Sequence, residues 1–163
     1  MEFSLREFRP EDFEALWKID QRCFPPGIAY PRRELAAYIQ RPGSFTLVAE
    51  QDPEKPRAVA GFIVAEANRR HVGHIITIDV LPENRREGLG SELLAAAEAR
   101  LRQVRCCSVA LETAVDNSAA LAFYKRHQYN VVKTIPRYYS NHVDALVLEK
   151  DLHSTAQVIQ LRK

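Results

Sequence analysis

An apolar strand pattern and an amphipathic helix pattern meet at a short basic turn, residues 85–91, that contains two glycines. The segment before the turn is rich in β-branched residues, as buried strands are: Ile75, Ile76, Ile78 and Val80. The segment after it carries apolar residues at helical spacing: Leu89, Leu93, Leu94, Ala97 and Leu101. The order strand, turn, helix favours an α/β layer arrangement with a mixed sheet.

The turn has the composition of a site for phosphate oxygens. Gly88 and Gly90 allow backbone and ligand to approach closely, and the first helical turn offers unpaired N–H groups. These N–H groups lie at the positive end of the helix dipole, beside Arg85 and Arg86. The turn lacks the Gly-Lys-Ser/Thr of a nucleoside triphosphate loop and the three glycines of a dinucleotide fingerprint. The alternative is a basic turn that only caps an ordinary helix.

Composition excludes several classes of function. The 163 residues suffice for one domain with a sizeable core, and a net charge of +2 gives no general case for nucleic-acid binding. No apolar run approaches membrane-spanning length, and residues 1–4 begin no apolar leader, so we expect a cytoplasmic protein without a membrane partner.

The three cysteines predict neither a disulfide framework nor a metal centre. Their number is odd, and no Cys/His group has the spacing of zinc ligands, so no metal is expected. Cys106 and Cys107 are interpreted as small apolar fillers rather than a redox pair, and Cys23 stands alone. A reducing compartment fits this pattern.

Seven strands and four helices follow from periodicity and turn signals. Strands are predicted at residues 3–9, 45–50, 58–67, 73–80, 108–113, 130–135 and 144–152, and helices at 10–24, 32–40, 88–104 and 118–127. The turn at 52–56 makes an antiparallel hairpin of the second and third strands. The helical crossover makes strands 73–80 and 108–113 parallel neighbours, and a ligand fits between them if they splay at their carboxyl ends. Residues 1–152 form one domain, and 153–163 a tail.

A second pattern lies downstream of the basic turn. Leu111, Glu112 and Thr113 end a strand, and the run from Asn117 to Tyr124 then opens a helix. With Arg85-x-x-Gly88-x-Gly90, this pair of patterns resembles the GCN5-related N-acetyltransferase (GNAT) superfamily over residues 3–150. The resemblance implies a mixed, mostly antiparallel sheet of six or seven strands, with about four helices and splayed central parallel strands.

The resemblance also implies acetyl-CoA as cofactor and a set of residues that hold it. The backbone of Ile78, Asp79 and Val80 meets the acetyl-pantetheine, the loop binds the pyrophosphate, and Asn117 contacts the cofactor. The loop residues are Arg86, Glu87, Gly88, Leu89, Gly90 and Ser91, and Arg85 of the motif is counted with them. The helix that bears Tyr124 packs along the pantetheine arm.

Within the superfamily, the chain is most similar to bacterial enzymes that acetylate the N-terminal alanine of ribosomal proteins and to related N-terminal acetyltransferases. In that family the residue matching Glu112 is the general base and the residue matching Tyr124 the general acid. Transfer to an amine needs both, because the ammonium must lose a proton and the leaving thiolate must gain one. The alternatives are a solvated strand-edge acid for Glu112 and a core-packing tyrosine for Tyr124, although phenylalanine would serve packing alone equally well.

Several aromatic and apolar residues are candidates for the wall of the acceptor groove. They are Phe24, Ile28, Tyr30, Tyr138 and Tyr139, and His74 is placed beside them as a possible proton relay. The alternatives are sheet-edge packing for the two adjacent tyrosines and a partly exposed strand histidine for His74. The loop at 24–30 is more similar to eukaryotic N-terminal acetyltransferases than to the bacterial enzyme.

One departure from the family pattern follows the tyrosine helix. The family often has Leu-Gly-Phe there, whereas this chain has His127-Gln128-Tyr129. Without the glycine the helix needs another left-handed residue at its end, and Asn130 is the candidate.

The resulting hypothesis is an acetyl-CoA-dependent acyltransferase that acetylates the N-terminal α-amine of a protein or peptide. One alternative is acetylation of a small-molecule amine or a lysine side chain at the same cofactor site. Another is a non-catalytic acetyl-CoA-binding module.

Overall fold

The computed structural model describes residues 2–51, 54 and 58–153. Its strands are β1 (Ser4–Glu7), β2 (Ser44–Glu50), β3 (Val59–Ala67), β4 (Val72–Val80), β5 (Ser108–Ala114), β6 (Asn130–Ile135) and β7 (Ala145–Asp151). Its α-helices are α1 (Phe13–Cys23), α2 (Arg32–Gln40), α3 (Leu89–Gln103) and α4 (Ser118–Arg126). Most of the predicted hairpin turn at 52–56, and all of the tail except His153, lie outside the described residues.

The strands form one sheet in the order β1-β2-β3-β4-β5-β7-β6. Every neighbouring pair is antiparallel except β4 and β5, which are parallel and are joined through α3. The predicted mixed, mostly antiparallel sheet with four helices is therefore confirmed, as is the antiparallel pairing of the second and third strands.

The two parallel strands pair only at their beginnings. Three residue pairs join them, the last being His74 with Ala110, although β4 continues for six residues beyond His74. Just past this point β4 contains a β-bulge, because Ile75 pairs with Ala65 and Thr77 with Val64, which leaves Ile76 without a partner in register. The predicted splay of the central strands is confirmed.

Helices cover both faces of the sheet. On one face α1 and α2 pack through Leu16, Ile19 and Leu35 on the strands. On the other face α3 buries its predicted apolar stripe of Leu89, Leu93, Leu94, Ala97 and Leu101, each at most 1% exposed. Burial of a leucine side chain contributes about 1.5–3 kcal/mol, so this stripe fixes α3, and with it the turn that precedes α3, against the sheet.

The structure corrects the prediction for the end of α4. Gln128, not Asn130, adopts the left-handed conformation, with φ of 69°, and Asn130 is already the first residue of β6. The N–H of Tyr129 donates to the carbonyl of Tyr124, and the N–H of Gln128 to that of Lys125. This is the Schellman arrangement, which requires the left-handed residue directly after the helix cap.

Three further expectations differ from the structure in detail. Strand β1 is shorter than residues 3–9, and Pro10–Asp12 form a 3₁₀ turn before α1 rather than its first turn. Cys106 is buried as predicted, whereas Cys107 is exposed, so only one of the pair is a core filler.

In the part of the chain that the structure describes, no helix is long and apolar enough to cross a membrane.

Candidate active site

Two residues predicted for the site lie close together where β4 and β5 separate. His74 is the last β4 residue paired with β5, and Glu112 lies on β5 two residues beyond its partner Ala110. The Nε2 atom of His74 lies 2.6 Å from Oε2 of Glu112. The two side chains are 33% and 23% exposed, so they are shielded and still reachable from solvent. The pair stands at the mouth of the gap between the strands.

A third ionisable group extends this pair onto β3. Glu66 is the cross-strand partner of His74, and its Oε1 lies 3.6 Å from Nδ1 of His74. Burial alone would lower the pKa of His74, but the hydrogen bond to Glu112 and the charges of Glu112 and Glu66 outweigh it. The pKa of His74 is therefore raised, which favours imidazolium between two carboxylates. Sequence patterns gave no sign of Glu66, because its place depends on the strand register.

Tyr124 lies on α4, with 6% of its side chain exposed. Its ring makes edge-to-face contacts with Phe123 and Tyr129, at centroid distances of 5.2 and 5.5 Å. Burial, with smaller effects from Asp79 and Tyr139, raises the pKa of Tyr124 well above its usual range. The hydroxyl therefore keeps its proton at any physiological pH, as a proton donor must.

The loop between α1 and α2 holds Phe24, Ile28 and Tyr30, all partly buried. The hydroxyl of Tyr30 donates to the carbonyl of Ile76, the bulge residue of β4, at 3.3 Å. This contact ties the loop to β4 where it separates from β5.

The loop between β6 and β7 approaches the same region. The N–H of Ser140 donates to the carbonyl of Gly27 at 3.2 Å, which joins this loop to the α1–α2 loop. Tyr138 and Tyr139 stack edge to face at 4.9 Å; Tyr138 is 47% exposed, and Tyr139 is partly buried. Burial, and next the nearby phenol of Tyr138 and carboxylate of Glu112, raises the pKa of Tyr139. The structure thus brings the predicted groove residues together on two linked loops.

The basic turn has an open anion-binding geometry. Gly88 is the residue before α3, in the left-handed conformation with φ of 85°, and no side chain caps the helix. A Cβ placed on Gly88 would meet no other atom of the described residues within 4 Å, so among them the space above the turn is free. The first N–H groups of a fifteen-residue helix therefore face an open, positively polarised position, which fits a diphosphate.

The predicted loop residues differ in what their side chains offer. Arg86 and Glu87 are exposed, whereas Leu89 is buried and presents only its backbone. The Nε of Arg85 donates to the carbonyl of Val80 at 2.9 Å, so part of this guanidinium is engaged within the chain. The Oγ of Ser91 lies 2.9 Å from Nε2 of His127.

Asn117 and Asp79 have structural partners of their own. The Oδ1 of Asn117 accepts the N–H of Ala120 at 3.1 Å, which caps α4 and leaves the amide NH₂ as the donor for a ligand. Asp79 is 1% exposed, and its Oδ1 accepts the hydroxyl of Thr77 at 2.5 Å. Only the backbone of Asp79 remains to meet a cofactor, as the prediction for residues 78–80 requires.

Asp79 belongs to a buried carboxyl pair that sequence patterns did not show. Its partner is Asp20 on α1, whose Oδ2 accepts the N–H of Tyr30 at 2.7 Å. The remaining oxygens, Oδ1 of Asp20 and Oδ2 of Asp79, are buried without another hydrogen-bond partner in the described residues, and the two groups interact. Burial raises the pKa of both carboxyls, so the pair retains a proton. The pair joins the α1–α2 loop to β4.

Among the described residues, no cluster of three or more His, Cys, Asp or Glu has the geometry of a metal site.

Comparisons with known proteins agree with this geometry. A family model described as "Acetyltransferase (GNAT) family" matches residues 13–129. An N-alpha-acetyltransferase of Sulfurisphaera tokodaii is 30% identical over 159 residues, covering 93% of this chain and 94% of that protein. The crystal structure of Ard1 from Thermoplasma volcanium superposes with a TM-score of 0.84 at 26% identity, covering 94% of this chain and 100% of that one.

The structure of the ribosomal-protein-S18-alanine N-acetyltransferase from Escherichia coli has a TM-score of 0.80 with this chain. The identity is 21%, and the match covers 94% of this chain and 96% of that one. At that identity the similarity concerns the fold.

Proposed function

Because this chain belongs to the acetyltransferase (GNAT) family and uses acetyl-CoA as donor, we propose that it acetylates the N-terminal α-amine of a protein or peptide. The observation that carries the proposal is the hydrogen-bonded pair of His74 and Glu112 at the point where β4 and β5 part. The similarity to the Sulfurisphaera N-alpha-acetyltransferase, which extends over 93% of the chain, supports the acceptor class.

The donor has a matching set of residues. In the proposal, the first amides of α3 and the residues 85–91 hold the diphosphate, and the amide NH₂ of Asn117 and the backbone of 78–80 hold the arm that leads to the thioester. The free space above Gly88 and the uncapped start of α3 support this assignment. The bound thioester supplies the activated acetyl group.

Glu112 and His74 act on the acceptor. An N-terminal amine is largely protonated at neutral pH and cannot attack until it loses a proton. Glu112 takes this proton, directly or through a water molecule, and the neighbouring imidazole of His74 orients the carboxylate and shares its charge. His74 is thus a positioning and relay residue in the proposal, rather than only a groove residue.

Tyr124 acts on the leaving group. Its hydroxyl donates a proton or a hydrogen bond to the departing thiolate, and its raised pKa keeps the hydroxyl protonated until then. The two linked loops with Phe24, Ile28, Tyr30, Tyr138 and Tyr139 enclose the acceptor chain.

All three cysteines are free thiols, which supports a reducing compartment such as the cytoplasm.

A thiol-release assay tests the proposal. Acetyl-CoA is offered with lysine-free peptides that have a free N-terminus, including N-terminal sequences of ribosomal proteins, and with the same peptides blocked at the N-terminus. Blocked peptides that contain lysine, and polyamines, are offered in parallel. Release with the free peptides alone is expected. Release with blocked, lysine-containing peptides would identify a lysine acetyltransferase, and release with polyamines alone would identify a small-amine enzyme. Binding of acetyl-CoA without release from any amine would leave a non-catalytic module.

A further inference from the structure

The end of α4 reaches the start of α3 through a polar contact. His127 directly follows α4, and its Nε2 lies 2.9 Å from the Oγ of Ser91, the third residue of α3. The imidazole packs on Phe123 at a ring distance of 4.6 Å, and Phe123 in turn lies against Gly90. An imidazole therefore stands behind the helical turn whose amides are proposed to hold the diphosphate.

His127 occupies a place where the family pattern often has leucine, in Leu-Gly-Phe. The left-handed Gln128 completes the helix end that glycine would otherwise supply, so the backbone there is intact. The side chain at 127 is not needed to end the helix, and in this chain it both packs on Phe123 and lies within hydrogen-bond distance of Ser91.

We propose that His127 is a positioning residue of the diphosphate site, which acts on bound coenzyme through Ser91 and makes coenzyme affinity depend on pH. The proposal rests on the assignment of residues 85–91 to the diphosphate. A hydroxyl has one proton to donate and lone pairs to accept with. When Nε2 of His127 donates to Oγ, the proton of Ser91 is directed to the phosphate oxygens. If Oγ of Ser91 instead donated to Nε2 of His127, its proton would not be available to the phosphate oxygens.

The charges around His127 set the direction of the pH effect. Burial lowers the pKa of His127, Glu98 of α3 raises it, and Lys150 of β7 and Arg126 of α4 lower it. The Glu98 carboxylate is itself held by Lys150, whose Nζ lies 2.8 Å from both of its oxygens. The net pKa is below the usual range, so the imidazole is mainly neutral at pH 7 without an anion nearby.

A bound diphosphate adds negative charge next to this group and raises its pKa. Binding therefore takes up a proton, and by linkage affinity rises as pH falls through the pKa of His127. Across pH 8 to 5.5 we expect a gain of about three- to tenfold, since a partly exposed charge acts through Ser91 at the edge of solvent.

Calorimetric titration with 3′-dephospho-CoA tests the proposal. This probe keeps the diphosphate but lacks the monoester phosphate, which would itself titrate near pH 6. The wild type, His127→Gln and His127→Leu are titrated between pH 5.5 and 8, in two buffers of different ionisation enthalpy to count protons. His153→Gln, at an exposed histidine two residues beyond the end of β7, is the matched control. Thermal melting verifies that each variant is folded.

The wild type and the control should bind more tightly at low pH, with proton uptake. His127→Gln, which keeps an N–H donor, should match the wild type at pH 8 and lose the pH dependence, and His127→Leu should bind more weakly at both pH values. A wild type with constant affinity, or a His127→Leu variant that keeps the pH dependence, would overturn the inference and leave the proposed function standing. A folded wild type that binds no coenzyme at any pH would overturn the diphosphate assignment itself.

Discussion

The imidazole of His74 on β4 and the carboxylate of Glu112 on β5 are hydrogen-bonded at 2.6 Å, at the end of the backbone pairing of their strands, where His74 pairs with Ala110. A side-chain hydrogen bond thus joins the two strands where their backbone pairing ends. An ionisable pair therefore lies at the point where the two strands separate.

Replacing Glu112 by Gln removes the proposed proton acceptor but keeps its shape. We expect the rate at neutral pH to fall by about 10²-fold or more, with coenzyme affinity nearly unchanged, because base catalysis contributes that much and the carboxylate lies outside the donor site. Steady-state kinetics and calorimetry measure the two quantities. Glu149→Gln, an exposed glutamate on the neighbouring strand β7, is the control. A fully active Glu112→Gln enzyme would remove the assigned base.

His74 predicts the shape of the pH–rate profile. The pKa of His74 is raised, so the imidazolium form persists at pH values above its usual pKa of about 6.5. While it is charged, the imidazolium engages the Glu112 carboxylate and keeps it from accepting a proton from the amine. The rate should therefore increase as pH rises through a midpoint above 6.5. In His74→Gln the contribution of the imidazole to this limb should disappear, because the amide carries no charge at any pH, and only the ionisation of the acceptor amine should remain. Profiles of kcat at saturating peptide report the enzyme–substrate complex, and identical profiles for the two proteins would contradict the relay.

Tyr124→Phe separates catalysis from packing. Phenylalanine fills the same buried space beside Phe123, so we expect little change in thermal stability, whereas loss of the proton donor should lower kcat about tenfold or more. Tyr129→Phe is the matched variant, since Tyr129 is buried beside Tyr124 and its hydroxyl faces Glu98. Equal kcat values for both variants would reduce Tyr124 to a core residue.

The Asp20–Asp79 pair predicts how stability depends on pH. Both pKa values are raised in the folded state, whereas an unfolded Asp ionises near 3.9, so the folded chain loses stability as pH rises above that value towards the raised pKa values. Asp79→Asn supplies a permanent donor to Asp20 and cannot ionise. Relative to wild type it should be more stable at pH 8 than at pH 5, by on the order of 1 kcal/mol.

Urea unfolding at both pH values measures this difference, with Asp151→Asn, at an exposed aspartate, as the control. Parallel loss of stability in wild type and Asp79→Asn would exclude the buried pair as the source.

Gly88→Val tests the phosphate turn. The left-handed φ of 85° makes a β-branched residue cost about 1–2 kcal/mol in stability, and its methyl groups would enter the free space above the turn. We expect coenzyme binding to weaken by an order of magnitude or more, roughly the loss of one or two charge-assisted hydrogen bonds. Gly43→Val carries the same backbone strain at a turn between α2 and β2. If both variants keep wild-type affinity, the diphosphate does not lie at Gly88.

The positions of strands and helices were predictable because apolar residues recur at the period of each element. The stripe from Leu89 to Leu101 is buried as expected, whereas in the β-branched run before it Ile75 is buried and Ile76, Ile78 and Val80 are half-buried. The parallel pairing followed from the crossover, whereas the gap between the two strands was implied by the resemblance to the acetyltransferase family. The left-handed conformation of Gln128 was not predicted. Helix ends favour glycine at the left-handed position, and where glycine is missing this preference does not say which polar residue replaces it.

The missed residues are those whose environment depends on register and depth. Glu66 meets His74 only through antiparallel pairing next to a bulge that the pattern does not show. Asp20 and Asp79 occupy buried positions that hydrophobic periodicity assigns to apolar residues. Their burial costs free energy unless a proton is retained, and no count of apolar residues reveals that compensation.

Because only three residue pairs join β4 to β5, the seven strands amount to two smaller sheets that share a corner, four strands on one side and three on the other. One carries His74 and the other Glu112 with the 136–144 loop. Neither half holds a complete set of reactive groups, so a small rotation about that corner would alter the distance between imidazole and carboxylate while each half keeps its own ladder intact.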